Sequence, residues 1–501
     1  MYDLDNIKTE LNELIINSVK NRVEEIGDNK IGVLFSGGID STMIAFVLKS
    51  LGVNFTCYAV GLDEAGLKPA EDLVWAQKVA KELGFQLKII KLNLDESETI
   101  IKKTAKILGD IKNKVVHVGV GGVIVAVCEH AKQDGVKFLF SGLGSEEIFA
   151  GYQRHEQAQN INKECKQGIK NMEKCDLLRD NLISDSENVK FLVPFLDKDL
   201  VKYALDVPSE LKIKDGVKKY ILRLVAEDLG MPKDIAFRKK KAAQYGSNFD
   251  KAIMKLAKKN GFQFKMNYLN NNIKLGALVS GGKDSIFAMY KMIRKGYDVK
   301  CLITVKSKNL SSYMFHTPNI ELVKHQSKAL GIPVIIGETK GEKEKELIDL
   351  KKVIRNAKEK FELDGIITGA LFSTYQRERI EKICDELKLK CFSPLWHTDQ
   401  EKLLRDLVDE KFEIIITAVA GEGLGETELG EEINNKFIDK MVTLNKKNGI
   451  NVAFEGGEAE TLVVDCPIFK NKLVIENAEK VMENECTGKY IIKDIELVDK
   501  Q

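Results

Sequence analysis

Two short, continuous apolar runs lie half a chain apart, and each leads into the same pattern. Residues 31–35 read IGVLF and residues 275–279 read LGALV; a glycine turn and a helical pattern follow each run. Short apolar runs bounded by turn signals are typical of strands buried on both faces of a parallel sheet. Each copy therefore predicts a buried strand, a tight turn and a helix.

Strand and helix patterns continue to alternate after each copy. Such alternation predicts doubly wound α/β units with parallel sheets, in which ligands bind at the carboxyl ends of the strands. The sequence therefore predicts an α/β fold with two doubly wound parallel-sheet units, the second followed by a small α/β substrate subdomain. Further strands are predicted near residues 55–61, 88–92 and 137–141, and near residues 300–305, 333–337, 365–369 and 413–418.

Turn signals place the boundary between the halves near three consecutive asparagines. Residues 270–272 are all Asn and follow a lysine-rich helical pattern, which indicates a turn or linker. The predicted division has four parts: a first unit at 1–262, a linker at 263–273, a second unit at 274–395, and a substrate-binding subdomain at 396–501.

Charge and cysteine usage narrow the class of protein. The chain has 77 basic and 75 acidic residues among 501, for a net charge of +2, so strong nucleic-acid binding is not expected. The nine cysteines form no CxxC pair, so neither a disulfide framework nor a zinc knuckle is indicated. The N-terminus lacks the pattern of a signal peptide, and no apolar run approaches the ~20 residues of a membrane span. We expect a cytoplasmic protein with no membrane association; a homo-oligomer is compatible with the sequence.

The turns themselves read SGGIDS at residues 36–41 and SGGKDS at residues 280–285. Two glycines before a helix N-terminus let backbone amides approach an anion, and the aspartate can hold a Mg²⁺ ion that bridges phosphates. No lysine stands where the Walker pattern would place one. We assign ATP and pyrophosphate binding to Ser36, Gly37, Gly38, Asp40 and Ser41 in the first copy, and to Ser280, Gly281, Gly282, Asp284 and Ser285 in the second.

This SGGxDS motif resembles the pyrophosphate loop of the ATP pyrophosphatase superfamily. Members of that superfamily cleave ATP between its α and β phosphates and pass AMP to an oxygen of the substrate. The resemblance implies ATP and Mg²⁺ as cofactors, with Asp40 and Asp284 among the metal ligands.

The first half continues with SGLGSEEIFAGYQRH at residues 141–155 and with RKKKAAQYGS at residues 238–247. These motifs resemble the synthetase domain of asparagine synthetases over most of residues 15–255. The resemblance implies a magnesium role for Glu146 and a catalytic role for Lys240, which would stabilise the acyl-adenylate transition state.

Two positions depart from the asparagine synthetase pattern. Leu143 stands where many members have a glutamate proposed to accept a proton during ammonia attack, and an apolar side chain cannot do so. Tyr2 stands where the amidotransferase domain of that family has its nucleophilic cysteine, so we expect this chain not to hydrolyse glutamine.

The second half carries five motifs in order, and together they resemble the diphthine–ammonia ligases across nearly all of residues 274–501. Those enzymes use ATP and ammonia to amidate the carboxylate of diphthine, a modified histidine of translation elongation factor 2. The motifs are SYMFHTPN at 312–319, GALFSTYQRERIEKIC at 369–384, PLWHTDQEKLL at 394–404, GEGLGETELG at 421–430 and FEGGEAETLVVDCPIF at 454–469.

Several polar residues of these motifs are candidates for substrate contacts. Glu455, Glu458 and Glu460 surround a glycine pair, and clustered carboxylates suit a metal, an ammonium ion or the trimethylammonium group of diphthine. We assign catalytic roles to Asp284, Lys240 and Glu458. The predicted substrate contacts are Tyr313, His316, Gln376, Arg377, Glu455, Glu458 and Glu460; Trp396 and His397 are further aromatic candidates.

The favoured function is an ATP-dependent amide ligase, with elongation factor 2 and ammonia as partners. A carboxylate would attack the α-phosphate of ATP, and ammonia would then displace AMP, with catalysis by alignment and charge stabilisation. Three alternatives stay open: an enzyme that modifies tRNA, amidation of a small acid by the first half, and a first half that binds nucleotide only for regulation.

Overall fold

The computed structural model describes residues 2–111, 114–307, 322–341 and 345–500. These residues form two compact units, Met1–Leu269 (unit 1) and Asn270–Gln501 (unit 2). Both units contain a five-stranded parallel sheet with helices, which confirms the predicted α/β fold.

Unit 1 begins with a long helix and then alternates strands with helices. Its helices are α1 Leu4–Ile26, α2 Ile39–Ser50, α3 Glu71–Leu83, α4 Leu94–Leu108, α5 Lys114–Gln133, α6 Ser145–Ile148, α7 Gln153–Glu156, α8 Ile161–Met172, α9 Asp176–Glu187, α10 Lys198–Asp206, α11 Ser209–Lys212, α12 Tyr220–Asp228, α13 Lys233–Ala236, α14 Ala243–Gly246 and α15 Phe249–Lys259, with a 3₁₀ helix at Pro194–Leu196. Its strands are β1 Ile31–Leu34, β2 Phe55–Leu62, β3 Leu87–Leu92, β4 Phe138–Phe140, β5 Lys190–Leu192, β6 Ile213–Lys214 and β7 Val217–Lys218.

Unit 2 repeats the alternation and ends in long strands. Helix α16, Lys265–Asn271, precedes it; its own helices are α17 Lys283–Arg294, α18 Val323–Leu330, α19 Lys345–Phe361, α20 Thr374–Glu386, α21 Gln400–Asp409 and α22 Asn435–Asn448. Its strands are β8 Lys274–Leu278, β9 Asp298–Ser307, β10 Val334–Thr339, β11 Gly365–Ile367, β12 Lys390–Phe392, β13 Glu413–Ala420, β14 Ala459–Asp465, β15 Asn471–Asn484 and β16 Thr487–Asp499.

The two parallel sheets have the same strand order. It is β3-β2-β1-β4-β5 in unit 1 and β10-β9-β8-β11-β12 in unit 2, so the first strand of each sheet lies at its centre. The order reverses beside that central strand, where doubly wound sheets bind ligands at the strands' carboxyl ends. In both units the SGGxDS motif follows the central strand at that position.

The central strands also share a glycine with a packing role. A Cβ atom at Gly32 would lie 2.5 Å from Leu139, and one at Gly276 would lie 2.8 Å from Leu363. Both distances are too short for a real contact, so a larger residue would force apart the apolar layers that cover each sheet.

Apolar helix α5 lies in the core of unit 1. Among the described residues it is the one helix whose length and composition would allow a membrane span, and 67% of its apolar window is buried inside the unit. Its buried residues belong to the cluster formed with α4 and α15. This burial is what a core helix of an α/β unit shows.

The strand predicted near residues 413–418 lies in a different sheet from the one expected. Strand β13 belongs to a four-stranded sheet of order β14-β13-β16-β15, and it pairs antiparallel with both neighbours. Apolar periodicity identifies a strand but does not give the direction of its partners, so the assignment to a parallel sheet was wrong. This sheet and the parallel sheet of unit 2 contribute to one continuous hydrophobic core.

The segment predicted as a linker is partly helical. Helix α16 occupies Lys265–Asn271, and its residues Tyr268 and Leu269 are buried in the apolar cluster that contains α15. The triple asparagine suggested a turn, but burial of these two side chains outweighs the weak helix propensity of asparagine.

Candidate functional site

The two SGGxDS loops contain the same hydrogen bonds. In each, the amide of the first serine donates to the hydroxyl of the second serine, and that hydroxyl donates to the carbonyl of the second glycine. Each loop is thereby held closed directly before a helix N-terminus, which favours an anion. The two distances are 3.4 and 3.3 Å for Ser36, Ser41 and Gly38, and 3.3 and 3.1 Å for Ser280, Ser285 and Gly282.

The first glycine of each loop adopts a backbone conformation that other residues rarely adopt. The φ angle is +64° at Gly37 and +88° at Gly281. Glycine populates this left-handed region without the steric cost that a Cβ atom imposes. A side chain at Gly37 would also meet the backbone of Trp75 at 2.9 Å, so both loops depend on glycine here.

A second pair of glycines brings another strand end against each loop. A Cβ atom at Gly142, after β4, would lie 2.8 Å from the Cβ of Asp40. A Cβ atom at Gly369, after β11, would lie 2.8 Å from the Ser285 amide. The two units therefore share this close approach, although their sequences around these glycines differ.

The groups that cover the second loop glycine differ between the units. A Cβ atom at Gly38 would lie 2.6 Å from Lys240 Cδ, so the stem of that predicted catalytic lysine lies over the first loop. At Gly282 the nearest atoms belong to Thr461, whose hydroxyl would lie 3.2 Å away. Unit 1 thus places a flexible cation over its loop, and unit 2 places a strand.

Arg238 supports the first loop from behind. Its guanidinium donates to the Ser36 carbonyl at 2.7 Å and pairs with Asp72 at 3.2 Å, and it is buried. Burial raises the pKa of the Asp72 carboxyl, and Lys240 and Arg238 oppose that shift. The basic run at 238–241 therefore contains one buried support and, at Lys240, one exposed cation over the glycine turn.

Lys219 joins the two residues predicted to bind magnesium in unit 1. Its ammonium lies 2.7 Å from Asp40 and 2.8 Å from Glu146, and it donates to Ser145 Oγ at 3.1 Å. Burial of Asp40 opposes its ionisation, but Lys219 outweighs this and the pKa of Asp40 is lowered. The magnesium role of Asp40 and Glu146 stays a prediction, and in this structure a lysine ammonium lies between the two carboxylates.

Glu147 is a buried carboxyl beside this cluster that sequence reasoning did not single out. Its side chain is 2% exposed, and its Oε2 has no hydrogen-bond partner among the residues that the structure describes. Burial, reinforced by the negative charge of Asp176, raises the pKa of Glu147 to about 7. Its signal in the sequence is only the second glutamate of SGLGSEE.

Glu147→Gln should change how the stability of unit 1 depends on pH. Folded Glu147 keeps its proton up to about pH 7, whereas the ordinary value is 4.5, so the free energy of unfolding falls as pH rises between these values. Glutamine cannot ionise and should remove about 3 kcal/mol of this loss. Unfolding at pH 5 and pH 8 can be followed through Trp75 in a Trp396→Phe background, since the chain has 2 tryptophans. An unchanged pH slope would contradict the assignment.

In unit 2, Lys283 ties the SGGKDS loop to the EGGEAET segment. Its buried ammonium lies 2.7 Å from Asp284 Oδ2 and donates to the Ala453 carbonyl at 2.7 Å. Its amide donates to Thr461 Oγ1 at 3.1 Å. The corresponding residue of unit 1, Ile39, is an apolar core residue. The lysine that distinguishes the two motifs therefore joins segments far apart in the sequence.

Asp284 is the described residue of unit 2 that best fits a magnesium ion. Its Oδ1 is buried and has no hydrogen-bond partner among the described residues, whereas Oδ2 pairs with Lys283. Among residues 2–111, 114–307, 322–341 and 345–500 no group of three or more His, Cys, Asp or Glu side chains is arranged to hold a metal ion. A single carboxylate suffices where substrate phosphates supply the remaining ligands, as is usual for Mg²⁺.

The three glutamates of EGGEAET have different surroundings. Glu455 accepts from the Phe372 amide at 3.4 Å; burial and then the charge of Asp284 raise its pKa. Glu458 accepts from the Asn451 amide at 2.9 Å, the Asn451 side chain at 2.7 Å and the Gly456 amide at 2.9 Å. The catalytic role of Glu458 stays a prediction; these contacts make it a brace of the loop.

Glu460 and the candidates on α20 lie apart from Asp284 in their contacts. Burial raises the pKa of Glu460 to about 7, opposed by Lys489. Arg377 pairs with Glu381 at 2.6 Å and lies over the Trp396 ring at 4.5 Å. The amide of Gln376 donates to the cap residue Ser373 at 3.3 Å. The substrate roles of Glu460, Arg377 and Gln376 stay predictions, as do those of Tyr313 and His316, which lie outside the described residues.

Family models match both halves of the chain. The asparagine synthase model matches residues 10–168 and 156–261. The diphthamide synthase N-terminal domain matches residues 273–391, and the diphthamide synthase C-terminal domain matches residues 399–498. The second match contains the SGGKDS loop, and the third contains the EGGEAET segment that contacts it.

Individual relatives follow the same division. A putative glutamine-hydrolysing asparagine synthetase of Methanocaldococcus jannaschii is 35% identical over 296 residues, which cover 52% of this chain and 53% of that protein. The chain thus spans about half the length of this relative. A solved structure of NMN synthetase from Francisella tularensis covers 54% of this chain and 94% of its own, with 12% identity and a TM-score of 0.27.

Residues of unit 2 have relatives that are matched over most of their length. The diphthine–ammonia ligase of Rattus norvegicus is 33% identical over 231 residues, which cover 42% of this chain and 86% of that protein. With its asparagine synthase match over residues 10–261 and its diphthamide synthase matches over residues 273–498, the chain belongs through its first half to the asparagine synthase family and through its second half to the diphthine–ammonia ligases, a family of ATP-dependent ligases.

Proposed function

We propose that unit 2 converts diphthine to diphthamide on translation elongation factor 2, with ATP and ammonia as the other substrates. The observation that carries this proposal is the contact between the SGGKDS loop and the EGGEAET segment through Lys283, Asp284 and Thr461. It places a phosphate-type loop and a carboxylate-bearing loop in one site. A cytoplasmic location follows from the substrate, because elongation factor 2 acts in translation.

The residues of unit 2 have separable tasks in this reaction. The SGGKDS loop binds the phosphates through its amides and serines, and Asp284 holds Mg²⁺, which when bound neutralises phosphate charge. Lys283 and Thr461 fix the EGGEAET segment against the loop, which aligns the diphthine carboxylate for attack on the α-phosphate. Ammonia then attacks the activated carbonyl and AMP leaves.

For unit 1 we propose adenylation of a second carboxylic acid by an asparagine-synthetase-like reaction. Lys240 over Gly38 supports this role, because its cation lies where charge on a phosphate or adenylate would develop. Leu143 leaves the usual proton acceptor of ammonia attack missing at that position, so the acceptor of the adenylated acid is open.

The test of the unit 2 proposal is a direct assay of the whole chain. ATP, Mg²⁺, ammonium and elongation factor 2 that carries diphthine should yield AMP, pyrophosphate and the mass decrease of replacing a hydroxyl by an amino group on the modified histidine. Omission of ammonium should prevent the mass change. Parallel reactions with aspartate and with tRNA test the alternatives. AMP formation with either of these and not with elongation factor 2 would overturn the proposal.

A further inference from the structure

Three aromatic side chains meet at the carboxyl ends of β11 and β12. Phe372 and His397 lie edge to face, with ring centroids 5.6 Å apart and an interplanar angle of 84°. Trp396 and His397 are 4.7 Å apart at 72°. We call Phe372, Trp396 and His397 the aromatic corner. Its rings stand nearly perpendicular to one another, so they present π faces to the same region.

The corner is held in place by backbone contacts between two loops. The His397 amide donates to the Leu371 carbonyl at 3.0 Å, which joins the loop after β12 to the loop after β11. His397 has a φ of +58°, a conformation that a residue with a side chain adopts at a steric cost. Such backbone outliers cluster at functional sites because surrounding contacts must hold them. Arg377 covers the Trp396 ring at 4.5 Å and supports it.

Phe372 is exposed, although it is a large apolar residue. Its side chain is 39% accessible, and the neighbouring Leu371 is buried at 1%. Water contact with an aromatic ring on a constrained loop has no benefit for folding, whereas it leaves the ring free to contact a ligand.

A carboxylate adjoins the corner on the side of the phosphate loop. Glu455 accepts from the Phe372 amide at 3.4 Å. The loop that carries Phe372 begins at Gly369, where an added Cβ would lie 2.9 Å from the Asp284 carbonyl carbon. The aromatic corner is therefore continuous with the site in which the carboxylate of the substrate would be activated.

We propose that Phe372, His397 and Glu455 bind the trimethylammonium group of the substrate and thereby select the trimethylated side chain. The inference rests on the proposed function, since diphthine carries this group. Quaternary ammonium ions bind well to π faces that stand at angles, and a nearby carboxylate adds charge attraction. Because the reacting carboxylate belongs to the same side chain, holding the cation also positions that carboxylate. A substrate that lacks the methyl groups would fill the corner poorly.

Phe372→Leu is the test variant, because leucine keeps apolar bulk and removes the π face. The first measurement is the ratio of kcat/KM for elongation factor 2 with the trimethylated side chain to that for the same side chain without methyl groups. This ratio should fall about tenfold, the size of a partly desolvated cation–π contact. Phe264→Leu, at another exposed phenylalanine that is 59% accessible, is the matched control and should leave the ratio unchanged.

A second measurement does not depend on activity. In a Trp75→Phe background, Trp396 fluorescence reports on the corner while tetramethylammonium chloride is titrated against sodium chloride at equal ionic strength. Saturable quenching should appear, with a dissociation constant about tenfold higher in Phe372→Leu. Glu455→Gln should weaken binding as well.

The outcomes separate the two proposals. If wild-type protein amidates diphthine but Phe372→Leu leaves the selectivity ratio and the titration unchanged, the corner is not the cation site. An equal loss of kcat/KM for both substrates also overturns it, since that result indicates a structural role alone. If no amidation occurs while tetramethylammonium binds in a Phe372-dependent way, the proposed function fails and the quaternary ammonium site stands.

Discussion

Asp284→Asn is expected to lower amide formation on diphthine-bearing elongation factor 2 by about 10³-fold, the loss typical of removing one preorganised charge contact from a reacting centre. The Oδ1 atom of Asp284 is buried without a hydrogen-bond partner among the described residues, so its charge is directed at a ligand. Asparagine keeps the size of the side chain, and Lys283 keeps its contact with the Ala453 carbonyl. The measurement is kcat/KM for AMP release that depends on the protein substrate.

Asp40→Asn is the matched control, because Asp40 occupies the same position of the other loop. The diphthamide synthase matches lie entirely within residues 273–498, so this variant should change amidation of elongation factor 2 by less than about twofold, the scatter of independent sites. A large loss in Asp40→Asn would mean that unit 1 supplies a step of the reaction. Full activity in Asp284→Asn would remove the proposed role of Asp284 altogether.

The two units show how one loop geometry can be used in different ways. Strand order, the left-handed glycine and the serine hydrogen bonds are shared. The difference lies over the second glycine, where unit 1 has Lys240 and unit 2 has Thr461. A lysine can follow charge that develops on a ligand, whereas a strand fixes the neighbouring segment. This contrast agrees with a small acid as the substrate of unit 1 and a protein side chain in unit 2.

Local patterns were sufficient to predict the phosphate loops and the parallel sheets. A buried strand, a glycine turn and a helix are encoded by consecutive residues, so SGGIDS and SGGKDS could be found without a structure. The direction of β13 could not be found in this way, because it depends on β14 and β16, which lie far along the chain.

Long-range partners explain the other residues that sequence reasoning missed. Lys219 reaches Asp40 across 179 residues, and nothing near Lys219 marks it as buried. Lys283 lies inside a recognised motif, yet its partner Ala453 is 170 residues away. Glu458 looked like a free carboxylate because its partners, the Asn451 and Gly456 amides, are backbone groups without a sequence signature.

Lys219→Met is expected to lower the free energy of unfolding of unit 1 by about 3–5 kcal/mol, because it leaves the carboxylate of Asp40 buried without its counter-charge. The Lys219 side chain is 5% exposed and that of Asp40 is 16% exposed, so solvent screens this pair little. Glu146, at 37% exposed, should contribute less. Denaturant unfolding followed through Trp75 in a Trp396→Phe background measures the change. Adding Asp40→Asn should recover part of the loss, since it removes the unpaired charge.

The pKa shifts give the pH range of this stabilisation. The pKa of Asp40 is lowered from 3.8, so its contribution is present above that value and is lost as pH falls through the folded pKa. Burial opposes the charge of Lys219, but Asp40 and Glu146 raise its pKa above 10.5, so its contribution is lost only as pH rises beyond that value. The loss in Lys219→Met should therefore be largest between about pH 5 and pH 9.

Lys212 is the matched control, because it is a second fully buried lysine of unit 1 with the opposite shift. Its ammonium donates to the Leu205 carbonyl at 3.3 Å, and burial lowers its pKa to about 8. The fold disfavours its charge, so Lys212→Met should be neutral or stabilising at pH 7, and the difference from wild type should shrink as pH rises above 8. Equal losses in both variants would show that unit 1 needs the lysine stems for packing; unequal losses show that it needs the charge of Lys219 beside the first phosphate loop.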